Sequence, residues 1–104
     1  MGRTLTAARA MVAPDRTGAY QELLVRRAAA ARRRGANFWV FRSASVRDAF
    51  LEFTEAADGS AGARSAEEIT IESELRRIAE YGPDAEEVWE EFQLARPDGP
   101  PKGT

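Results

Sequence analysis

The run NFWVFR at residues 37–42, followed by SASVRD at 43–48 and AFLEFTE at 49–55, decides the fold. Two aromatic and β-branched segments flank a short polar connection in which Ser43, Ser45 and Asp48 are suited to a turn, so the stretch predicts a β-hairpin. Side chains alternate across a strand, which puts Phe38 and Val40 on one face of the first segment and Trp39 and Phe41 on the other. In the second segment Leu51 and Phe53 point one way; Phe50 points the other, among Glu52 and Thr54. Both faces of the sheet therefore carry apolar side chains. A sheet with one solvated face shows clean apolar/polar alternation, and this one does not, so each face needs a cover. Helices from the same chain are expected over one face and a second copy of the chain over the other.

Composition bounds what lies around this hairpin. A chain of 104 residues forms one domain, expected over residues 1–95, and at this size self-association adds useful burial. No apolar run approaches the ~20 residues of a membrane span, and residues 1–12 lack the apolar core of a secretory signal. Cysteine is absent, which removes disulfides and thiol chemistry and fits a cytoplasmic protein. Histidine is absent too, and with it the usual general base and the usual haem or transition-metal ligand. The sequence thus calls for no metal and no cofactor, and no partner membrane.

Charge is divided along the chain. Residues 1–53 hold ten arginines and four acids, a net of +6, whereas residues 54–104 hold five basic residues and thirteen acids, a net of −8. The halves should attract one another. The run Arg32 to Arg34 could contact phosphate, but a chain of net charge −2 without an interleaved basic and aromatic surface is a poor nucleic-acid binder. A solvated helix end facing acidic neighbours is the better assignment, and no nucleic-acid partner is expected.

Taken in order, residues 3–12 read as a first strand, with Leu5, Ala7, Arg9 and Met11 on one face and Thr4, Thr6, Ala8, Ala10 and Val12 on the other, mostly small or apolar on both. Such small side chains suit a central strand. Pro14 and Asp15 open a helix capped by Asp15 or Thr17; its apolar stripe is Tyr20, Leu23, Leu24, Ala28 and Ala31, and Gly35 ends it. Residues 56–64 have loop composition. Ser65 and Glu68 form a capping box for a second helix, whose buried stripe is Ile71, Leu75, Ile78 and Ala79 and whose outer face carries Glu67, Glu68, Glu72, Glu74 and Glu80. Gly82 and Pro83 are expected to stop it. Residues 84–95 fit either periodicity. A short strand within about 88–94, preceded by a turn of helix, completes the sheet; residues 96–104 are expected to be a disordered tail.

The resulting βαββαβ order is α+β and ferredoxin-like, with an antiparallel sheet and helices on one face. With LTAARAMV at 5–12, FWVFR at 38–42, FLEF at 50–53 and VWEEF at 88–92, the chain resembles the dimeric α+β barrel superfamily, in particular its antibiotic-biosynthesis-monooxygenase-like and NIPSNAP-like groups. The resemblance implies a homodimer paired across its sheets. It also implies a cavity between sheet and helices that can take a hydrophobic or aromatic small molecule. Haem-degrading relatives use a histidine beside an Asn and a Trp; Asn37 and Trp39 could match the latter two, but the histidine has no counterpart. Cofactor-free oxidation would need polar groups around a dry pocket, and the candidates are Asn37, Trp39, Arg9, Arg42, Tyr20 and Glu52.

Each candidate has a plainer role beside that one. Trp39 suits interface packing, and Tyr20 lies on a helix's apolar stripe. A central strand in a covered sheet seldom carries an unpaired charge, so an Arg9–Glu52 ion pair is expected. If Arg9 instead lines a cavity, it favours an anionic or enolate ligand. Two functions follow: first, a homodimeric small-molecule-binding or accessory domain; second, a cofactor-independent monooxygenase-like enzyme for an aromatic polyketide or quinone-like substrate.

Overall fold

A computed structural model of the chain describes residues 2–57, 61 and 63–94. Strand β1 (Thr4–Met11) is followed by a 3-10 turn (Pro14–Arg16), helix α1 (Thr17–Arg33), strands β2 (Asn37–Arg42) and β3 (Ala49–Ala56), helix α2 (Ala66–Ile78) and strand β4 (Glu80–Glu90). The strands form one antiparallel sheet in the order β2-β3-β1-β4, which is the ferredoxin-like arrangement. The small-residue strand β1 is central, as its composition requires.

Register fixes which residues share a face. Val40 pairs with Glu52, which pairs with Ala8, while Phe41 pairs with Leu51, which pairs with Arg9. Ala10, Phe50 and Tyr81 line the helix side, where Val12, Tyr20, Leu23, Ala30, Ile71, Leu75 and Ala79 close the core. A second buried group, Ala31, Ala36, Ala56 and Ala61, has Phe38 packed against it where α1 gives way to β2.

Among the described residues nothing covers the opposite face. Trp39 is 46% exposed, Phe41 59%, Trp89 55% and Met11 44%. Leu51 and Phe53 lie among them, half-buried.

The two charge-biased halves meet between the helices. Arg26 pairs with Glu74, Arg27 with Glu72, Arg33 with Glu67 and Arg34 with Glu68. The exposed pairs add at most about 1 kcal/mol each; their main effect is to set α1 against α2 in one alignment.

Local chemistry ends the elements largely as the residues dictate. Gly35 takes φ +81 after α1. Ser65 Oγ accepts from the Glu68 N–H while the Glu68 carboxylate accepts from the Ser65 N–H, a complete capping box. In the β2–β3 connection Ser43 Oγ accepts from the N–H groups of Ser45 and Val46, and Asp48 adopts φ 66.

Several expectations are corrected. Arg16, with no side-chain cap, occupies the N-cap position of α1 instead of Asp15 or Thr17, because the 3-10 turn begins the coil at Pro14. Glu68 is buried at 1% exposure rather than lying on the outer face, held there by the cap and by Arg34. The last strand starts at Glu80, ahead of Gly82 and Pro83, and ends at Glu90; no turn of helix precedes residues 88–90. Proline cannot donate to a ladder, yet β4 is an edge strand, and the β1–β4 register shifts where Pro83 falls. The tail expected at 96–104, and residues 58–60 and 62 of the expected loop, lie outside the described residues. No helix among those described is long and apolar enough to cross a membrane.

Candidate functional site

Among the described residues, two of the places where polar side chains gather against apolar ones bear on the residues singled out from the sequence. The first is inside, between the sheet and the helices. Glu52, in the middle of β3, is 2% exposed. Its Oε2 accepts hydrogen bonds from the Tyr20 hydroxyl at 2.6 Å and the Tyr81 hydroxyl at 2.7 Å, and its Oε1 accepts from Arg27 Nη1 at 3.1 Å. Arg27 reaches on to Glu72 at 3.3 Å and lies over the Phe38 ring at 4.8 Å. Arg64 joins Glu72 to Glu86 at the rim.

Such a network is stable only if its buried charges are paired and its hydroxyls bonded, and here they are. Burial, followed by the charge of Glu52 and the hydrogen bond to it, pushes both the Tyr20 and the Tyr81 phenols far above the ordinary tyrosine range. Both hydroxyls are fixed as donors. The space left between sheet and helices at Ala8, Arg27, Glu52, Tyr81 and Glu86 is about 20 Å³, enough for one water molecule.

The second place is at the end of the sheet. A groove of about 510 Å³ lies between the end of β1, the β2–β3 turn and the start of β4; Arg9, Met11, Phe41, Arg42, Val46 and Leu51 line it. A shallower depression of about 470 Å³ continues past Arg42, Val46 and Phe50 to Arg47 and Asp48. Arg42 lies over the Phe50 ring, 5.5 Å from its centroid.

The six residues singled out from the sequence are therefore divided among three settings. Tyr20 and Glu52 are bonded to each other in the interior. Arg9 and Arg42 both border the groove, Arg9 from the uncovered face and Arg42 from the helix side, over Phe50. Asn37 and Trp39 lie on the uncovered face, where Asn37 donates to Glu55 at 3.3 Å and Trp39 pairs with Phe53. The expected Arg9–Glu52 ion pair does not form, because Arg9 stands opposite Leu51 and so projects from the other face of the sheet. Arg27 takes its place. That residue falls seven positions after Tyr20 on the same helical stripe, a signal masked by its membership of the arginine-rich C-terminal part of α1. Tyr81 was hidden by the expectation that α2 ran to Gly82. Among the described residues no group of three or more acidic side chains is arranged to hold a metal ion.

No family model matches the sequence, and no curated protein matches it. Solved structures do match in fold. SnoaB from Streptomyces nogalater, described as a cofactor-independent oxygenase, superposes with a TM-score of 0.70 at 14% identity, over 90% of this chain and 97% of its own. Rv0793 from Mycobacterium tuberculosis gives 0.71 at 18% identity, over 90% and 99%. A Nitrosomonas europaea protein described provisionally as an antibiotic biosynthesis monooxygenase gives 0.69 at 17% identity, over 90% and 93%. The chain has the ferredoxin-like fold of these structures.

Proposed function

We propose that this chain is a homodimeric small-molecule-binding or accessory domain, two copies of which pair through the uncovered sheet face. The observation that carries the reading is the set of apolar side chains Met11, Trp39, Phe41, Leu51, Phe53 and Trp89 on the side of the sheet away from the helices, with Arg9 among them. Monomeric proteins rarely leave so many large side chains together in water, and burying them supplies about 25 cal/mol per Å².

A cofactor-independent monooxygenase acting on an aromatic polyketide or quinone-like substrate is the second reading, favoured by the likeness in fold to SnoaB. Such chemistry needs a dry pocket wide enough for the fused rings. Tyr20, Arg27, Glu52 and Tyr81 occupy the interior space where that pocket would lie, which ranks the binding domain first.

A charge placed in the apolar face tests the pairing without touching the core. Phe41→Glu should convert a dimer to a monomer in light scattering at micromolar concentration while far-ultraviolet circular dichroism stays unchanged. An unaltered mass in the variant would refute the proposed interface.

A further inference from the structure

Near the middle of the face away from the helices stands one cation. Arg9 shares that face with Leu5, Ala7 and Met11 of β1 and lies across from Leu51 of β3. On its other side the β1–β4 ladder shifts between Ala8 and Ala10, so no residue of β4 pairs with it. Arg9 is exposed, and among the described residues it makes no hydrogen bond or ion pair. At the Leu5 end of the face Glu55 and Glu91 are both held by Arg3. Glu87, opposite Ala7, and Glu80, opposite Met11, are exposed and likewise make no hydrogen bond or ion pair among the described residues.

A lone charge costs little in water and much once a second sheet covers it, so burying this face calls for a carboxylate against Arg9. A two-fold pair repeats every contact, because the residue that Arg9 meets on the partner is the one that meets the partner's Arg9. Setting Arg9 on the partner's Glu87 runs the axis between these two positions. They lie on adjacent strands, two residues apart along them, beside Ala7 at the middle of the face. The sheets then overlap across Trp39, Phe41, Leu51, Phe53 and Trp89. Setting Arg9 on the partner's Glu80 moves the axis to the Met11 end and leaves Trp39, Phe53 and Trp89 beyond the partner's sheet. We propose that Arg9 of each copy forms an ion pair with the partner's Glu87, the two pairs flanking the axis and fixing the alignment in which the sheets meet. This rests on the sheet-to-sheet pairing proposed above, and it adds what sets the register of that pairing.

Charge reversal distinguishes a pair between copies from one within a copy. Arg9→Glu and Glu87→Arg alter exposed side chains and should keep the far-ultraviolet circular dichroism of the unsubstituted chain. Each alone should raise the dimer dissociation constant in sedimentation equilibrium at least about a hundredfold, since its homodimer sets like charges together twice. Mixed in equal amounts, the two variants should form a heterodimer of nearly the original affinity, because the new acid then faces the new base and the unaltered Arg9 faces the unaltered Glu87. An ion pair within one copy would stay broken in that mixture. Glu80→Arg is the control and should leave the constant within about threefold. A cycle of Arg9→Gln, Glu87→Gln and both together repeats the test without reversed charge, and the double variant should dimerise no more weakly than either single one. If the unsubstituted chain is a dimer while the reversed variants dimerise undiminished, fail to pair with each other, or the neutral pair gives additive losses, the ion pair is overturned and the sheet pairing stands. An unsubstituted chain that stays monomeric overturns both.

Discussion

Glu52 is held by three donors and nearly sealed from water, so its removal leaves Arg27 with the more distant Glu72 alone. Breaking one side of a buried pair costs about 3 kcal/mol or more. Glu52→Ala should lower the free energy of urea unfolding by that order, and a combined Glu52→Leu and Arg27→Met replacement should recover most of the loss. The two tyrosines add a pH signature. Their raised pKa values mean that the native state keeps protons which the unfolded chain gives up above about pH 10. Stability from this source is whole below that pH and falls as the pH rises beyond it, by about 1.4 kcal/mol per pH unit for each retained proton. Tyr20 is the more deeply buried of the two. Melting temperatures measured from pH 8 to 12 should turn steeply downward near pH 10, and Tyr20→Phe should flatten that descent.

At the level of elements, α2 depends on its first turn. Burial alone would raise the Glu68 pKa, but the Arg34 hydrogen bond and the Ser65 N–H hold it below the ordinary carboxylate range. Ser65→Ala removes the reciprocal cap and should cost about 1 kcal/mol in chemical denaturation. This capping box could be read from Ser65 and Glu68 alone, as could the Gly35 stop and the two faces of the hairpin, because each depends on neighbours in sequence. The burial of Glu68 could not, since it depends on Arg34 arriving from another helix. The same holds for Glu52: alternation placed it on Phe50's side of the strand, but its pairing with Arg27 and not Arg9 follows from the β1–β3 register, which turns Arg9 to the other face, and from α1 lying over Glu52. Strand β4 was the hardest to read, as Gly82 and Pro83 are ordinary stop signals and become tolerable only at a sheet edge beside a register shift. Arg9 was legible as an unusual residue, yet its place opposite the register shift of β4 was not.

For the molecule as a whole, the sheet divides the chain's apolar residues between a core that its own helices complete and a face that they leave bare. Tyr20, Ile71 and Leu75 are enclosed within the single chain. Trp39, Phe41 and Trp89 are not. The account stands on a second copy covering the latter, and sedimentation equilibrium over a dilution series, read together with tryptophan quenching by acrylamide, measures this directly. It predicts a mass of twice the chain's 11.4 kDa at micromolar concentration, with quenching that strengthens as the dimer is diluted apart. A mass of 11.4 kDa at every concentration, with both tryptophans already shielded from acrylamide, would contradict it.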